Sequence, residues 1–445
     1  MFQPEIEQLP LDKLRRLQSE RLTALVRYVY EKVPFYKARL DEEGIQPSAI
    51  SSIDDISRLP FAKKTDLRDQ YPFGLFAVPQ EDIIRIHASS GTTGKPTVVG
   101  YTKGDLDIFS EVVARSLVAA GCKPGMMLHN AYGYGLFTGG LGMHYGAELL
   151  NMTVIPVSGG MTERQLMILQ DFAPDAICCT PSYAQTLAGE LRKRGIDKDA
   201  LNVKYAILGA EPWTEAIRTD VEAGLGVNAT NIYGLSEIIG PGVSNEDFEE
   251  RGTGSYIWED HFYPEVVDRE TGEPLPYGEP GVLVFTTLSK RGMPLLRYWT
   301  GDITTIYYEH SEKRTHIKMG PIMGRADDML IIRGVNFFPT QIEDLLQHEA
   351  ALSPHYQVVL QRNTNLDEVA LHVEVSEQVQ QKAGVAEINE ETLQQHKKLA
   401  TLRDSFAHKI KDTIGLTIKV HLTSTGSIPR SQGGKLSRVK DLRSF

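Results

Sequence analysis

Between about residues 83 and 240, short apolar runs alternate with longer segments of helical periodicity. The compact runs MMLHNAY, TVIPVS, DAICCT and KYAILGA are typical of buried strands, and the segments between them are typical of helices. This alternation predicts βαβ units around a largely parallel sheet that is covered on both faces. Ligands of such sheets bind at the carboxyl ends of the strands, so we expect functional residues there.

The segments on either side of this region have different patterns. The first 60 residues have helical spacing with a break at Pro34, and residues 252 to 320 carry short strands (YPEVVD, GVLVFTTL, HIKM) typical of an antiparallel β subdomain. After GRADD, the runs MLIIRG, TQIEDLLQHEA, HYQVVLQR, VALHVEVS, a long helix and TIKVHLTS predict a β-α-β-β-α-β module. We therefore predict an α/β protein. A large N-terminal domain (1–326) has mostly parallel sheets plus a β subdomain, and a small mobile α+β domain (327–445) follows.

Composition excludes several classes of protein. A chain of 445 residues predicts two or three domains, and its net charge of −11 argues against nucleic-acid binding. The N-terminus lacks the pattern of a secretory signal, and no run approaches the ~20 apolar residues of a membrane span, so we expect a cytoplasmic protein without membrane contact. Cys122, Cys178 and Cys179 have no metal-ligand spacing and are expected to be reduced core residues.

Residues 88 to 102, ASSGTTGKPTVVGYT, combine glycines, hydroxyls and Lys95 between two predicted strands. Close-approaching backbone N–H groups, hydroxyls and a cation suit a polyanion such as a nucleotide phosphate. Composition alone favours a solvated turn instead. A Walker A loop is excluded because Gly91 and Gly94 are only three apart and Pro96 stands where Ser or Thr would be needed.

Other polar or glycine-rich segments also follow predicted strands. YGYGLFTGGLG misses the spacing of a dinucleotide fingerprint; its aromatic residues suit either a flat apolar ligand or a core. GAEPW, NIYGLSE and RYWTGD place Glu237 where a carboxylate could hold Mg²⁺ and Asp302 where it could accept sugar hydroxyls, although each alone is more often a turn with a surface acid. Lys435 follows two glycines that could carry it as a mobile cation to an anionic centre.

Taken together and in order, these segments resemble the adenylate-forming (acyl-CoA synthetase) superfamily, and most closely its phenylacetate-CoA ligase branch. The matching segments are SSGTTGKPT, AYGYGLFTGGLG, GAEPW, YGLSEIIGPGV, WEDHFYPEV, RYWTGD, GRADDMLIIRGVNFFPTQIE and PRSQGGK. The resemblance implies an ATP-dependent aryl-acid CoA ligase. A carboxylate attacks the α-phosphate of ATP to give acyl-AMP and diphosphate, and the thiol of coenzyme A then displaces AMP.

The resemblance also assigns roles to individual residues. A flexible loop for the β- and γ-phosphates would consist of Ser89, Ser90, Gly91, Thr92, Thr93, Gly94 and Lys95. The nucleotide would be bound by Gly209, Ala210, Glu211, Tyr233, Asp302 and Arg325, with Tyr233 stacked on adenine and Asp302 on the ribose hydroxyls. Glu237 would hold Mg²⁺. The aryl group would lie against Tyr134, Phe137, Gly209, Ile238 and Pro241.

In the C-terminal domain, Lys435 matches the adenylation lysine, which would neutralise charge on the α-phosphate as the carboxylate attacks. Asp327 matches the hinge about which the domain rotates between the two steps, and Gly334 lies where the tunnel for coenzyme A would form. The cofactors implied are ATP and its product AMP, Mg²⁺ and coenzyme A. Family habit suggests a homodimer.

Two features of this chain depart from many relatives. Trp299 stands where a basic residue often precedes Thr-Gly-Asp, and no cysteine precedes the WEDHF stretch. We therefore expect no structural zinc, and we expect His261 to have a packing or hydrogen-bonding role. Two other functions stay open: an enzyme that passes its acyl group to a carrier protein, and a catalytically silent binding protein. The intact Lys435, Glu237 and Asp302 argue against the second.

Overall fold

The computed structural model describes most of the chain. The described residues are 1–89, 96–309, 311, 313–326, 330–332, 335–337, 339–363, 366–430 and 438–442. Their contacts form two compact units. The first contains Met1–Glu211 and Asp220–Ile322, and the second begins at Met323 and also takes in Pro212–Thr219. The domain division at 326/327 stays a prediction.

The N-terminal segment is helical, as its spacing predicts. Helix α2 (Leu11–Lys32) ends before Val33, and Pro34 is the first residue of α3 (Pro34–Glu42). The missing N–H of proline costs nothing there, because the first turn of a helix has no acceptor for it. The buried positions of α2 follow one face of the helix and include Leu22, Val26 and Val29. The helices of this segment are α1 (Pro4–Glu7), α2 (Leu11–Lys32), α3 (Pro34–Glu42) and α4 (Lys64–Asp69), with 3-10 helices at Pro47–Ala49, Ile53–Arg58 and Gln80–Asp82.

A hairpin of two strands follows. Strands β1 (Arg85–Ser89) and β2 (Thr97–Tyr101) pair antiparallel, with Ser89 opposite Thr97. Thr102 then caps helix α5 (Lys103–Ala119) in a capping box with Asp105, so the chain passes from the hairpin into the helix through a fixed turn.

The large sheet of the first unit has the predicted parallel core. Its strands are β3 (Met127–Asn130), β4 (Thr153–Ile155), β5 (Ala176–Cys179), β6 (Tyr205–Gly209), β7 (Asn228–Leu235), β8 (Gly240–Glu246), β9 (Ser255–Ile257), β13 (Ile306–Tyr307) and β14 (Lys318–Met319). Their order in the sheet is β13-β14-β9-β8-β7-β6-β5-β3-β4, and the pairs from β4 to β7 are parallel. All four residues of β5 are buried, which explains its uninterrupted apolar sequence.

Helices connect these strands at the predicted places. They are α6 (Thr138–Leu149), α7 (Thr162–Asp171), α8 (Pro181–Lys193) and α9 (Glu215–Leu225), with 3-10 helices at Lys198–Ala200 and Phe248–Glu250. The three cysteines are buried and make no disulfide, as expected for reduced core residues. Burial raises the pKa of the Cys122 thiol to about 12, which keeps it protonated.

An antiparallel sheet confirms most of the predicted β subdomain. It contains β10 (Phe262–Val267), β11 (Gly281–Thr287) and β12 (Tyr298–Thr304). The segment HIKM was predicted to belong to the same subdomain, but its strand β14 pairs with β9 and β13 in the large sheet. Two residues of strand carry too little pattern to specify a partner.

The second unit contains the six predicted elements in the predicted order, and five further short elements among its described residues. Its elements are β15 (Gly324–Arg325), β16 (Leu330–Ile332), β17 (Val335–Phe337), α10 (Thr340–Gln347), β18 (Leu352–Asn363), β19 (Leu366–Val375), α11 (Glu377–Ala383), α12 (Glu390–Gln395), α13 (Lys397–Ile414), β20 (Lys419–Thr423) and β21 (Val439–Asp441). The six predicted elements are β16, α10, β18, β19, α13 and β20. One prediction was wrong. The MLIIRG strand does not join the four-stranded sheet but pairs with β17, and β21 completes the order β20-β19-β18-β21.

The α/β fold class, with a large N-terminal part and a smaller α+β part, is therefore confirmed. The apolar face of α13 packs as its spacing predicts, with Leu399, Phe406, Ile410 and Ile414 buried. Among the described residues, no helix is both long enough and apolar enough to cross a membrane.

Candidate active site

The hairpin β1–β2 carries the two ends of the predicted phosphate loop. Ser89 is the last residue of β1 and pairs with Thr97, while the loop residues Ser90, Gly91, Thr92, Thr93, Gly94 and Lys95 lie outside the described residues. Before the loop, His87 is buried and its Nδ1 lies 3.0 Å from the carbonyl oxygen of Leu136. The ends of the loop are thus fixed by strand pairing, and the anion-binding role of the loop stays a prediction.

The residues predicted at the adenine edge follow β6 directly. Gly209 lies so close to the neighbouring strand β7 that a Cβ atom there would stand 2.1 Å from the carbonyl oxygen of Ile232. Ala210 has a left-handed backbone with φ of 70°, a conformation that side chains rarely adopt and that marks a sharp change of direction. Glu211 then accepts hydrogen bonds from the N–H and Oγ of Ser182, at 3.2 and 2.9 Å, at the start of α8.

Tyr233 and Asp302 are brought together although 69 residues separate them along the chain. The Tyr233 hydroxyl, on β7, donates a hydrogen bond of 2.7 Å to Oδ2 of Asp302, on β12. The Tyr233 ring also packs at a tilt against Phe285, with centroids 6.3 Å apart. Because β7 neighbours β6, the aromatic ring, the acid and the Gly209–Glu211 turn meet at one end of the parallel strands, where ligands of α/β sheets bind.

Glu237 lies in the turn that joins β7 to β8. Leu235 and Gly240 pair across the hairpin, and the amides of Ile238 and Ile239 both donate to the carbonyl oxygen of Leu235 at 3.1 Å. Glu237 is only 6% exposed. Within the described part of the chain, its carboxylate makes no hydrogen bond or ion pair. Burying a carboxylate costs free energy unless a cation or a hydrogen-bond donor pairs with it. The Glu237 oxygens are therefore suited to bind a cation or a donor from a ligand.

The predicted aryl-pocket residues fall into two groups. Tyr134 and Phe137 precede α6; the Tyr134 hydroxyl accepts from Asn130 Nδ2 at 2.8 Å and also hydrogen-bonds with Nδ1 of His144 at 3.1 Å. Ile238 and Pro241 belong to the β7–β8 hairpin, where Ile238 is fully buried and Pro241 pairs with Gly234.

One contact joins these two groups. The hydroxyls of Thr138 and Ser236 lie 3.0 Å apart, which links the start of α6 to the turn that carries Glu237. Gly209, the fifth predicted pocket residue, lies on β6, next to β7 in the same sheet. The hydrogen bonds of Tyr134 occupy its polar end, so its ring is the part left for an apolar ligand. The aryl pocket itself stays a prediction.

Several predicted residues cannot be placed in the site. Lys435, Asp327 and Gly334 lie outside the described residues. Arg325 is half-buried in β15 of the second unit. The roles given to these four residues therefore stay predictions.

His261 makes hydrogen-bonding contacts of the kind expected from the sequence. Its Nδ1 lies 2.5 Å from the Oγ of Ser289, and its Nε2 lies 3.2 Å from both Glu111 Oε1 and Asp260 Oδ2. The ligand atoms of Glu111, Asp260 and His261 lie within 4.8 Å of one another, close enough to hold a metal ion. Arg115 donates to both carboxylates, however, so this cluster already has a cation. The absence of a structural zinc stays a prediction.

Sequence reasoning missed two residues that contact the turn. The Lys290 ammonium donates to the carbonyl oxygen of Glu237 at 2.8 Å, and the Tyr101 hydroxyl donates to the carbonyls of Ser236 and Ile239 at 3.2 and 2.9 Å. Burial lowers the pKa of Lys290 to about 8. Lys290 sits in a polar segment, SKRG, that is typical of an exposed loop, so no local signal in the sequence could have identified it.

Known protein families and individual relatives match nearly the whole chain. The family of AMP-binding enzymes matches residues 9–289, and the AMP-binding enzyme C-terminal domain matches residues 334–443. Phenylacetate-coenzyme A ligase of Thermus thermophilus is 65% identical over 444 residues, which cover 100% of both chains. The Escherichia coli enzyme of the same name is 48% identical over 99% of this chain and 97% of its own. A crystal structure of 2-hydroxyisobutyryl-CoA ligase in the postadenylation state with R3-HIB-AMP matches with a TM-score of 0.89 at 29% identity, covering 98% of this chain and 91% of that one.

Proposed function

Because the chain belongs to the family of AMP-binding enzymes, and within it to the phenylacetate-CoA ligase branch, we propose that it joins phenylacetate to coenzyme A with the cleavage of ATP. The observation that carries the proposal is the 65% identity with the Thermus thermophilus phenylacetate-coenzyme A ligase over the full length of both chains. The acid's carboxylate attacks the α-phosphate of ATP and diphosphate leaves. The thiol of coenzyme A then attacks the acyl carbonyl and AMP leaves.

The nucleotide would be held where β6, β7 and β12 end. Asp302 would accept hydrogen bonds from the ribose hydroxyls, and the hydrogen bond from Tyr233 supports this role because it fixes the carboxylate. The turn Gly209, Ala210 and Glu211 would border adenine, and the left-handed backbone at Ala210, with φ of 70°, supports this role because it makes the chain turn sharply at the end of β6. Ser89 to Lys95 would bind the β- and γ-phosphates, and Arg325 would contact the nucleotide.

The residues near Glu237 fit a magnesium ion. Mg²⁺ prefers carboxylate and phosphate oxygens, and the Glu237 carboxylate is buried and makes no hydrogen bond or ion pair with described residues. When bound together with ATP, the ion would neutralise negative charge on the phosphates. The turn around Glu237 would fix the carboxylate that receives it.

The second half-reaction depends on proposals for the C-terminal part. We propose that residues 327–445 move about Asp327 relative to residues 1–326, so that Lys435 serves adenylation and the region of Gly334 serves coenzyme A. The proposed compartment is the cytoplasm, where ATP and coenzyme A are both present. A homodimer is proposed from family habit, and nucleic acid and membranes are not proposed as partners.

A panel of acids tests the substrate. With ATP, Mg²⁺ and coenzyme A, phenylacetate is expected to give the highest kcat/KM for AMP release, because Tyr134, Phe137, Ile238 and Pro241 offer it apolar surface. Benzoate, indoleacetate and 4-hydroxyphenylacetate are expected to be slower. Coenzyme A should discharge the trapped acyl-adenylate, whereas discharge by a carrier protein's phosphopantetheine alone would contradict the proposed acceptor. No AMP release with any aryl acid would refute the proposed function.

The contact between Tyr233 and Asp302 predicts a specific loss of ATP affinity. In Tyr233→Phe the carboxylate loses a hydrogen bond of 2.7 Å, so its position becomes less defined. A hydrogen bond to a charged acceptor contributes about 1.5 kcal/mol, which corresponds to about a tenfold rise in KM for ATP with little change in KM for phenylacetate. Initial-rate kinetics with each substrate varied in turn measure this.

Tyr256→Phe is the matched control for this prediction. The Tyr256 hydroxyl also donates to a carboxylate, Oε2 of Glu250, at 2.7 Å, but it has no predicted role in nucleotide binding. We expect it to leave the KM for ATP unchanged. Equal effects of the two substitutions on KM would mean that the Tyr233 contact supports only the fold.

A further inference from the structure

The turn that carries Glu237 is held by side chains from outside the hairpin. Of its four residues, 236–239, three have a carbonyl oxygen that accepts from such a side chain: Tyr101 donates to Ser236 and Ile239, and Lys290 donates to Glu237. A four-residue turn leaves carbonyls that neither strand can pair, and burial makes each unpaired one costly. Tyr101 and Lys290 therefore determine the backbone position of Glu237.

The glycines beside the turn show that this position is tightly constrained. A Cβ atom on Gly234 would stand 1.8 Å from the carbonyl oxygen of Gly240. A Cβ atom on Gly240 would stand 2.3 Å from Cζ of Phe109, and its φ is 124°. The two ends of the hairpin thus approach each other and the core too closely for side chains. Side chains that hold the turn therefore contact residues 236–239 themselves, as Lys290 and Tyr101 do at main-chain carbonyls and Thr138 does at the Ser236 hydroxyl.

Lys290 itself comes from a segment with a fixed backbone. Both carboxylate oxygens of Asp105 accept from this segment, from the N–H of Arg291 at 2.6 Å and from that of Gly292 at 2.8 Å. The Lys290 ammonium also lies 5.1 Å from the centre of the Tyr101 ring, in a cation–π contact. The lysine is only 2% exposed, so its side chain is confined by the protein around it. It links a loop whose backbone is fixed to the turn that carries Glu237.

The partners of this ammonium distinguish it from an ordinary structural lysine. Lys318 is equally buried, and its ammonium pairs with carboxylates of Glu250 and Glu309 at 2.9 and 2.6 Å. Lys290 has no ion pair within the described part of the chain and donates instead to one main-chain carbonyl. Burying a cation without a carboxylate costs stability that an apolar side chain of similar length would not, which points to a role other than stabilising the fold.

We propose that Lys290 is a positioning residue, which holds the main chain of Glu237 so that the carboxylate faces the metal and phosphates of bound ATP. The proposal rests on the proposed function for the role of Glu237. The lysine does not touch the nucleotide in this proposal, and it acts through its hydrogen bond to the Glu237 carbonyl. Residues that orient a metal ligand typically change metal affinity or activity by about 10- to 100-fold when they are replaced.

Lys290→Met removes the donor and keeps the length of the side chain. In the ligand-free protein, we expect hydrogen exchange at the Ile238 and Ile239 amides to become faster by about tenfold or more, because their turn loses a contact. We expect the gain in ATP affinity that Mg²⁺ brings, measured by calorimetry with Mg²⁺ and with EDTA, to fall by about 10- to 100-fold. The affinity for ATP in EDTA should stay within about threefold.

Lys318→Met is the matched control, and Lys290→Gln is the second variant. Lys318→Met should lower thermal stability. It should leave the gain in ATP affinity brought by Mg²⁺, and the hydrogen exchange of the Ile238 and Ile239 amides, as in the wild type. Lys290→Gln keeps an N–H donor without the charge; it should recover part of the Mg²⁺-dependent gain, and it replaces Lys290→Met if that variant does not fold.

The two readouts separate the proposal from the proposed function. Wild-type exchange and a wild-type Mg²⁺-dependent gain in Lys290→Met would overturn the positioning role, even if the enzyme is active on phenylacetate. A wild type that fails to bind ATP would refute the proposed function, and the exchange of the Ile238 and Ile239 amides would still decide whether Lys290 holds the turn.

Discussion

Replacing Lys435 with alanine is expected to slow acyl-adenylate formation by about 10²- to 10³-fold and to leave the discharge of supplied acyl-adenylate by coenzyme A nearly unchanged. Charge builds on the α-phosphate as the carboxylate attacks, and a single cation or donor aimed at such charge contributes about 3–4 kcal/mol in a site without water. In the second step the thiol attacks the acyl carbon and AMP leaves, so the in-line displacement at phosphorus that this cation would stabilise does not occur.

Two assays measure the two steps separately. Phenylacetate-dependent exchange of diphosphate into ATP reports adenylation, and release of AMP from supplied phenylacetyl-adenylate with coenzyme A reports thioester formation. Lys435 lies outside the described residues, so its role rests on the match of PRSQGGK to the family.

Lys440→Ala is the matched control for Lys435→Ala. Lys440 is an exposed residue of β21, only five positions further along the same basic segment. The Lys440→Ala variant should carry out both steps at the wild-type rate, because water and salt strongly screen the charge of a solvated lysine. Equal loss of exchange in the two variants would assign the effect to the charge of the tail. Unchanged exchange in Lys435→Ala would refute its role, and no exchange in the wild type would favour a silent binding protein.

Local patterns in the sequence predicted most elements of the fold. The helical spacing up to Lys32 and the proline at 34 predict where α2 ends, because each depends only on neighbouring residues. Pairing of short strands was harder to predict. Both HIKM and MLIIRG were assigned to a strand correctly but to the wrong sheet, since a strand of two or three residues carries almost no information about its neighbour.

The candidate site was predicted as single residues rather than as contacts. Glycine and an acid after a predicted strand indicated Glu237, because parallel strands present their carboxyl ends to ligands. Asp302 lies within the antiparallel strand β12, and its ribose-binding role came from the resemblance of RYWTGD to the family. That Tyr233 would donate to Asp302 could not be predicted, since the two residues lie on different sheets. Lys290 was missed for a related reason. The sequence of its polar loop does not show that the carboxylate of Asp105, 187 residues before Gly292, accepts hydrogen bonds from the loop and keeps it inside the protein.

The largest loss of stability is expected from Arg115→Met, a substitution at a residue that has no proposed role in the candidate active site. Arg115 is 1% exposed and donates two hydrogen bonds to Asp260, at 2.8 and 3.0 Å, and it also pairs with Glu111. Removing one partner of a buried pair leaves the other charge uncompensated and costs about 3–5 kcal/mol. Urea denaturation followed by tryptophan fluorescence measures this loss; one of the three tryptophans, Trp258, has its ring centre 5.9 Å from the guanidinium carbon.

The effect of pH on this loss follows from the shifted pKa of Asp260. Burial alone would raise that pKa, but the charges of His261 and Arg115 outweigh it and hold the pKa well below its usual range. A carboxyl with a lowered pKa stabilises the fold fully above its unfolded value, about 3.9, and this contribution is lost as the pH falls towards the folded value. The difference in free energy of unfolding between the wild type and Arg115→Met should therefore be largest near pH 7. It should become smaller in acid, where protonation of Asp260 removes the uncompensated charge.

Two further variants test whether the uncompensated charge is the cause. Arg115→Met combined with Asp260→Leu removes both charges and should recover at least half of the lost free energy of unfolding, because apolar residues can replace a buried ion pair. Arg192→Met removes an exposed pair with Asp220, whose atoms lie 3.6 Å apart, and should cost less than about 1 kcal/mol. A double variant no more stable than Arg115→Met would show that packing around the guanidinium, rather than its charge, holds α5 against the turn before β10.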